Sequence, residues 1–285
     1  MSSGLSKTAA KDWWRNFFEP LVGEVMFAPK IAASNAEVDQ IIRRAKAKSP
    51  MEVLDLACGI GRHSVCFAQR GLRVTGLDYS KPYLKQARTT AQAARQKITF
   101  VHGDMRKVQA YFAPNSFDLA VCVFTSFGYF ARRSDDRKVL RSVYRVLRPG
   151  GALVINTVNR SAAVKRLRSP VSLGSEPLPN VFVIDQVRYD KQSRQTVTTW
   201  TIVDTRQTKT RVARKSFRVN VYSHAELKRL LTTAGFKIES VWGMLPGGRF
   251  DPKTTWHQTI LARKPSAKRR VSSRVPVSSS RRSRP

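Results

Sequence analysis

Carboxylates are scarce in this chain: 19 Asp and Glu stand against 52 Lys and Arg over 285 residues, a formal charge of +33. The scarcity excludes an electrically neutral surface. Such a field draws in polyanions or anionic membrane surfaces, but it does not specify chemistry. Part of it is local, because residues 264–285 carry eight basic side chains and no acid. Without them the balance is still 44 − 19 = +25, so the body is basic too. Cysteine is sparse as well. Cys58, Cys66 and Cys122 form an odd set with no disulfide framework, and a reducing cytoplasm is the simplest location. The spacing of Cys58, His63 and Cys66 matches no common zinc-ligand pattern, so no metal site is expected. No apolar run reaches the ~18 residues of a membrane span, and the first residues lack the apolar core of a signal peptide. There is no internal repeat. At this length the chain can bury one substantial core and need not divide into two domains.

The most informative stretch present is Val53-Leu-Asp-Leu-Ala-Cys-Gly-Ile-Gly-Arg-His-Ser64. Val53 to Leu56 is a short apolar run of the kind that forms a buried strand. Gly59 and Gly61 let the backbone turn tightly and approach a ligand. Helical spacing follows to Arg70, and Gly71 sits where a helix C-terminal glycine belongs. Strand, glycine turn and helix form the first unit of a nucleotide-type cofactor site. A dinucleotide site would want a third glycine, but Ser64 stands there, and the Asp55 carboxylate would repel a pyrophosphate. A cofactor with a cationic amino-acid end tolerates that carboxylate or uses it. The next strand, Leu72 to Asp78, ends in another acid, 78 − 59 = 19 residues after Gly59. That is close to the ~20-residue offset at which an acid reads ribose hydroxyls. A third strand, Ile98 to His102, leads to Asp104, which can accept from an adenine amino group, and to Met105, a soft surface for the ring. Phe117 to Phe124 reads as a fourth strand and Ala152 to Asn156 as a fifth, with a helix over about 134–147 between them. Acids thus follow three successive strands, where ligands bind in open parallel sheets.

D-L-A-C-G-x-G-R, G-L-D-Y-S, G-D-M-R, F-D-L-A-V and V-L-R-P-G-G, in this order and spacing, resemble the class I S-adenosylmethionine-dependent methyltransferases. The run Phe124-Thr-Ser-Phe-Gly-Tyr-Phe130 resembles an uncharacterised bacterial subgroup similar to small-molecule N- and O-methyltransferases. The resemblance spans roughly residues 40–160 by motif and continues to about 264 by pattern. It implies a doubly wound, Rossmann-like α/β sheet with S-adenosyl-L-methionine as cofactor. The cofactor-binding residues it implies are Asp55, Ala57, Gly59, Gly61, Asp78, Tyr79, Asp104, Met105 and Phe124.

Residues 1–50 are expected to form an N-terminal helical cap. Trp13, Trp14, Phe17 and Phe18 share one helical face, and a second helix is expected over 36–48. The methyltransferase domain is expected over 51–263. Within it, residues 157–222 break the helix–strand alternation. Phe182 to Arg188, Gln195 to Asp204 and Arg211 to Val221 alternate and read as an inserted antiparallel β meander. Ser223 and Glu226 form a capping box for a last helix ending at Gly235. Residues 264–285, Ser/Arg-rich and without aromatics, are expected to be disordered.

Methyl transfer is an in-line displacement in which proximity and orientation supply ~7–11 kcal/mol. That demand suits a pocket rich in backbone and aromatic groups and poor in obvious triads. Ser126 and Tyr129 are the polar groups best placed to orient a substrate, and no general base is evident among His63, His102, His224 and His257. The leading expectation is a small-molecule N- or O-methyltransferase. The charge motivates two alternatives, an RNA methyltransferase and a non-catalytic RNA-binding protein with a methyltransferase-like fold. Against the first, Thr125-Ser-Phe-Gly128 stands where exocyclic-amine enzymes carry Asn/Asp-Pro-Pro-Tyr/Phe.

Overall fold

The computed structural model describes residues 12–266. The first part of the expected cap, residues 1–11, and most of the tail expected to be disordered, 267–285, lie outside the described residues. Seven strands form one sheet in the order β10-β11-β5-β4-β1-β2-β3. These are β1 (Glu52–Leu56), β2 (Arg73–Asp78), β3 (Thr99–His102), β4 (Phe117–Cys122), β5 (Leu147–Val158), β10 (Lys237–Trp242) and β11 (His257–Arg263). β1 to β5 run parallel, and β11 inserts antiparallel to both β5 and β10.

Residues in the central strands are apolar almost without interruption because both faces are covered. Leu54, Ala120, Cys122, Leu153 and Ile155 face one core with α6 (Arg133–Val146) and α8 (His224–Thr233). Their neighbours Val53, Leu119, Val121, Ala152 and Val154 face a second core with α3 (Ser34–Ala45) and α4 (Arg62–Gln69). This is the period-2 alternation of a strand. α5 (Lys81–Ala93) is capped by Ser80, and the Ser223–Glu226 capping box opens α8 as expected. Gly71 and Gly235 adopt φ of +77° and +100° just past their helices, the left-handed geometry that glycine permits. No helix among the described residues is long and apolar enough to cross a membrane.

Two parts differ from expectation. The N-terminal segment forms α1 (Trp14–Phe17), α2 (Pro20–Phe27) and α3, one helix more than the pattern suggests. Pro20 in the first turn fixes φ for α2 and disguises it as a break in the sequence. The aromatic stripe also splits. Trp14 turns to Tyr79 and Phe130, while Trp13 and Phe17 pack on Phe217.

The meander has four strands rather than three. β6 (Val171–Leu178), β7 (Val181–Asp190), β8 (Gln195–Asp204) and β9 (Arg211–Asn220) pair antiparallel in that order, after α7 (Arg160–Arg166). β6 is an exposed edge containing Gly174 and Pro177, which weakens its strand signature.

The end of β9 holds the loop that follows β4. Asn220 donates from its backbone N–H to Gly128 O (2.7 Å) and from Nδ2 to Phe130 O (2.8 Å) and Asp136 Oδ2 (2.9 Å). Tyr222 Oη donates to the same Asp136 oxygen at 2.5 Å. A Cβ on Gly128 would meet Asn220 O at 2.5 Å, so only glycine fits.

Asp136 is 0% exposed, and burial pushes its carboxyl up to about 7, against the hydrogen bonds from Tyr222 and Asn220. The folded chain therefore holds a proton there that the unfolded chain releases near its ordinary value of 3.8. The site's contribution to stability falls as pH rises from about 4 to about 7. Asp136→Asn is expected to exceed the wild type in unfolding temperature at both pH 5 and pH 8.5, with the gap wider by about 4–8 °C at pH 8.5. Scanning calorimetry at the two pH values checks this, and an equal gap at both would contradict it.

Candidate active site

Strand order reverses between β1 and β4, and a cleft opens at the carboxyl ends of the strands around that point. Asp55, Ala57 and Gly59 line it from β1, Asp78 and Tyr79 from β2, and Asp104 and Met105 from beyond β3. Phe124, Ser126 and Tyr129 line it from beyond β4, and Trp14, Phe18, Met26 and Phe27 from α1 and α2 and their junction. It encloses about 840 Å3 of empty space, its open mouth included.

The turn after β1 is held in left-handed backbone at Ala57 (φ 55°) and Gly59 (φ 56°). The Gly59 N–H donates to Asp78 Oδ2 at 2.8 Å, and the Ser80 N–H donates to Oδ1 at 2.7 Å. Asp78 thus ties two strand ends together, and each oxygen keeps a lone pair. Burial pushes its carboxyl up to about 6, while the backbone donors oppose the rise. Asp55 accepts from Ser64 Oγ at 2.6 Å. Burial raises its pKa against the His63 charge and the Ser64 hydrogen bond. Burial also holds the Cys58 thiol protonated, so it offers no thiolate.

One expected cofactor residue is elsewhere. Gly61 is the N-cap of α4 and is absent from the cleft lining. A Cβ there would meet Ala87 Cβ at 3.0 Å, so this glycine serves the packing of α4 on α5. Asp104 does line the cleft, but its carboxylate is clamped by Arg106, with Nη2 2.6 Å from Oδ2 and Nε near both oxygens. Only its remaining lone pairs are free for an adenine amino group.

Trp14 stands edge-on to Tyr79 at 4.6 Å, with the Arg15 and Arg106 guanidinium groups 4.6 and 5.3 Å from its ring centre. On the β4 side, Phe124 and Thr125 are consecutive left-handed residues (φ 57° and 59°), a strained backbone of the kind that gathers at functional sites. Ser126 Oγ donates to Val123 O at 3.1 Å. Burial raises the Tyr129 pKa, keeping its phenol a neutral donor.

None of the four histidines is a free base in the cleft. His63 lines it with Nε2 2.6 Å from Glu37 Oε2. His102 Nε2 lies 2.9 Å from Tyr79 O on the exposed rim. His257, pushed down to about 4 by burial, and His224, half-buried against Phe250 rather than exposed, are not in the lining.

The structure also brings in Arg62 and Glu37, which the sequence reading does not single out, beside His63. Arg62 and His63 open α4, where the helix dipole is positive and cations are unfavourable. That anomaly was the available signal. Glu37 of α3 answers it, taking Arg62 Nη1 at 2.6 Å as well as His63.

Residues 53–151 match the family described as "Methyltransferase domain". Among curated proteins, the chain is 32% identical over 128 residues to a glycine/sarcosine N-methyltransferase of Aphanothece halophytica, covering 45% of this chain and 48% of that protein. It is 28% identical over 152 residues to a ubiquinone biosynthesis O-methyltransferase of Vibrio cholerae, covering 53% and 57%. The chain therefore spans about half the length of the curated relatives it matches. A solved S-adenosylmethionine-dependent methyltransferase from Clostridium acetobutylicum superposes with a TM-score of 0.72 at 16% identity, covering 81% of this chain and 92% of that one.

Proposed function

We propose, from the match of residues 53–151 to a methyltransferase domain, that this chain uses S-adenosylmethionine to methylate nitrogen or oxygen of a small-molecule acceptor. One observation carries the reading. The cleft presents buried charges of both signs: the carboxylates Asp55 and Asp78, and Arg62, whose Nη2 is buried with no partner. A ligand with a zwitterionic end and a diol matches that set. The cofactor, when bound, supplies an electrophilic methyl group on a sulfonium.

The chain's residues divide the remaining work. Asp78 accepts from ribose hydroxyls with the lone pairs left over from Gly59 and Ser80. Met105, Tyr79 and the Asp104 region flank the base. Asp55 faces the ammonium of the amino-acid end, and Arg62 faces its carboxylate. Ala57 and Gly59 bring backbone close to the ligand, because Gly59 has no side chain and Ala57 only a methyl group. Phe124, with Phe18 and Phe27, provides a dry aromatic surround in which a cation is stabilised. Ser126 and Tyr129 orient the acceptor. With no free base in the cleft, proximity and orientation are the main source of rate.

A second reading, methylation of RNA, is favoured by charge. Asp55, Asp78 and Asp136 are buried, and most other carboxylates are ion-paired, as in Glu19–Lys215, Asp118–Arg148 and Glu239–Arg263. Arg137, Arg141 and Arg145 on the solvent face of α6 have no carboxylate within ion-pair distance among the described residues. Incubation with methyl-labelled cofactor and fractionated cell extract decides between the two. Label is expected in small metabolites, and label in RNA would replace the first reading with the second. No label anywhere, with no affinity for S-adenosylhomocysteine but salt-sensitive RNA binding, would leave a non-catalytic RNA-binding protein.

A further inference from the structure

Arg62 is 7% exposed, yet its guanidinium is only half used. Nη1 donates to Glu37 Oε2 (2.6 Å), Ser34 Oγ (2.9 Å) and Lys30 O (3.4 Å), all from the N-terminal cap. Nη2 is buried and has no partner. The Phe124 ring lies 5.0 Å from Cζ and closes another side of the group. A buried guanidinium fork with one tine fixed and the other free is a donor waiting for a planar anion.

Glu37, itself 7% exposed, is what fixes the first tine. Burial acts to raise its pKa, but the His63 hydrogen bond and the Arg62 charge prevail and hold the carboxyl below its ordinary value. It is thus an ionised acceptor, and His63 Nε2 donates to the same oxygen at 2.6 Å. Arg62 and His63 come from α4, whereas Glu37 comes from α3. The cap helix therefore sets where the free tine lies.

We propose that Glu37 is a positioning residue which, through Arg62, makes this cleft select nucleosides that carry an amino-acid carboxylate over nucleosides that do not. The inference rests on the methyltransferase reading above and adds the origin of its ligand selectivity. Removing the charge of Glu37 frees the guanidinium to turn toward water, where its long side chain regains rotamer freedom. The carboxylate then loses a preorganised, charge-assisted donor. The nucleoside half, held by Asp78 and the β3 loop, is unaffected.

The test is calorimetric titration of the full chain with two probes. S-adenosylhomocysteine carries the amino-acid end, and 5′-methylthioadenosine shares the adenosine thioether but lacks it. Wild-type protein is expected to prefer the first by about 100-fold. Glu37→Gln, which keeps shape and acceptor oxygen but not charge, is expected to weaken S-adenosylhomocysteine about tenfold or more. Its affinity for 5′-methylthioadenosine should stay within about twofold. A purely structural role would weaken both probes together, and that result overturns the proposal. Equal affinity of wild type for the two probes also overturns it while leaving the methyltransferase reading in place. Binding of neither probe removes that reading first. Arg62→Lys keeps the charge but lacks the fork, is expected to show the same split, and replaces Glu37→Gln if that variant does not fold.

Discussion

Replacing Gly59 with valine is expected to give a folded protein that no longer binds S-adenosylhomocysteine. Gly59 sits at φ +56°, where an L-residue costs roughly 1–2 kcal/mol and a β-branched one more. A Cβ there would stand 3.0 Å from Phe27 Cζ, pushing the α2 side of the cleft outward just where backbone and ligand must approach. Strain on this scale is a fraction of a domain's stability of ~5–15 kcal/mol, so the fold is expected to survive. Affinity is expected to fall by at least about 100-fold, near 2.8 kcal/mol. Titration calorimetry alongside circular dichroism gives the answer. A folded variant with normal affinity would show that the ligand lies elsewhere.

The second large effect is expected at Asp78, where stability and binding fall together. Asp78→Ala strips the acceptor from the Gly59 and Ser80 N–H groups. Each buried donor left unpaired costs about 1–3 kcal/mol. The variant is therefore expected to unfold at a lower temperature and to lose S-adenosylhomocysteine and 5′-methylthioadenosine alike. That parallel loss separates it from Glu37→Gln. Wild-type binding should also depend on pH. Asp78 is pushed up to about 6 by burial, and only its ionised form has both oxygens free to accept from hydroxyls. Affinity should therefore tighten as pH rises through about 6 and weaken by up to about tenfold per unit below it. A flat profile between pH 5 and 7.5, or unchanged affinity in Asp78→Ala, would take this carboxylate out of the site.

The parallel core was legible because its signals are local. Val53 to Leu56, the glycine turn and Asp78 each declare themselves within a few residues, and motif spacing orders the strands. Features built from distant contacts were hidden. Glu37 reads as one more charge on an amphipathic helix until folding places it beside Arg62, 25 residues on. Asp104 looks free in sequence, and only the fold shows Arg106 folded back on it. Gly61 belongs to the motif, but its reason lies in Ala87 of the next helix. β6 escaped notice because an exposed edge strand need not alternate.

The hold of Asn220 on the Gly128 and Phe130 carbonyls has an evolutionary corollary. The segment proposed to meet the acceptor hangs from the inserted sheet, while the grips proposed for the nucleoside and the amino acid are built into β1, β2 and the cap. On the proposed reading, drift in β6 to β9 would retune which molecules are accepted while the donor machinery stays intact, so descendants of one ancestral gene would diversify their targets without reinventing the reaction.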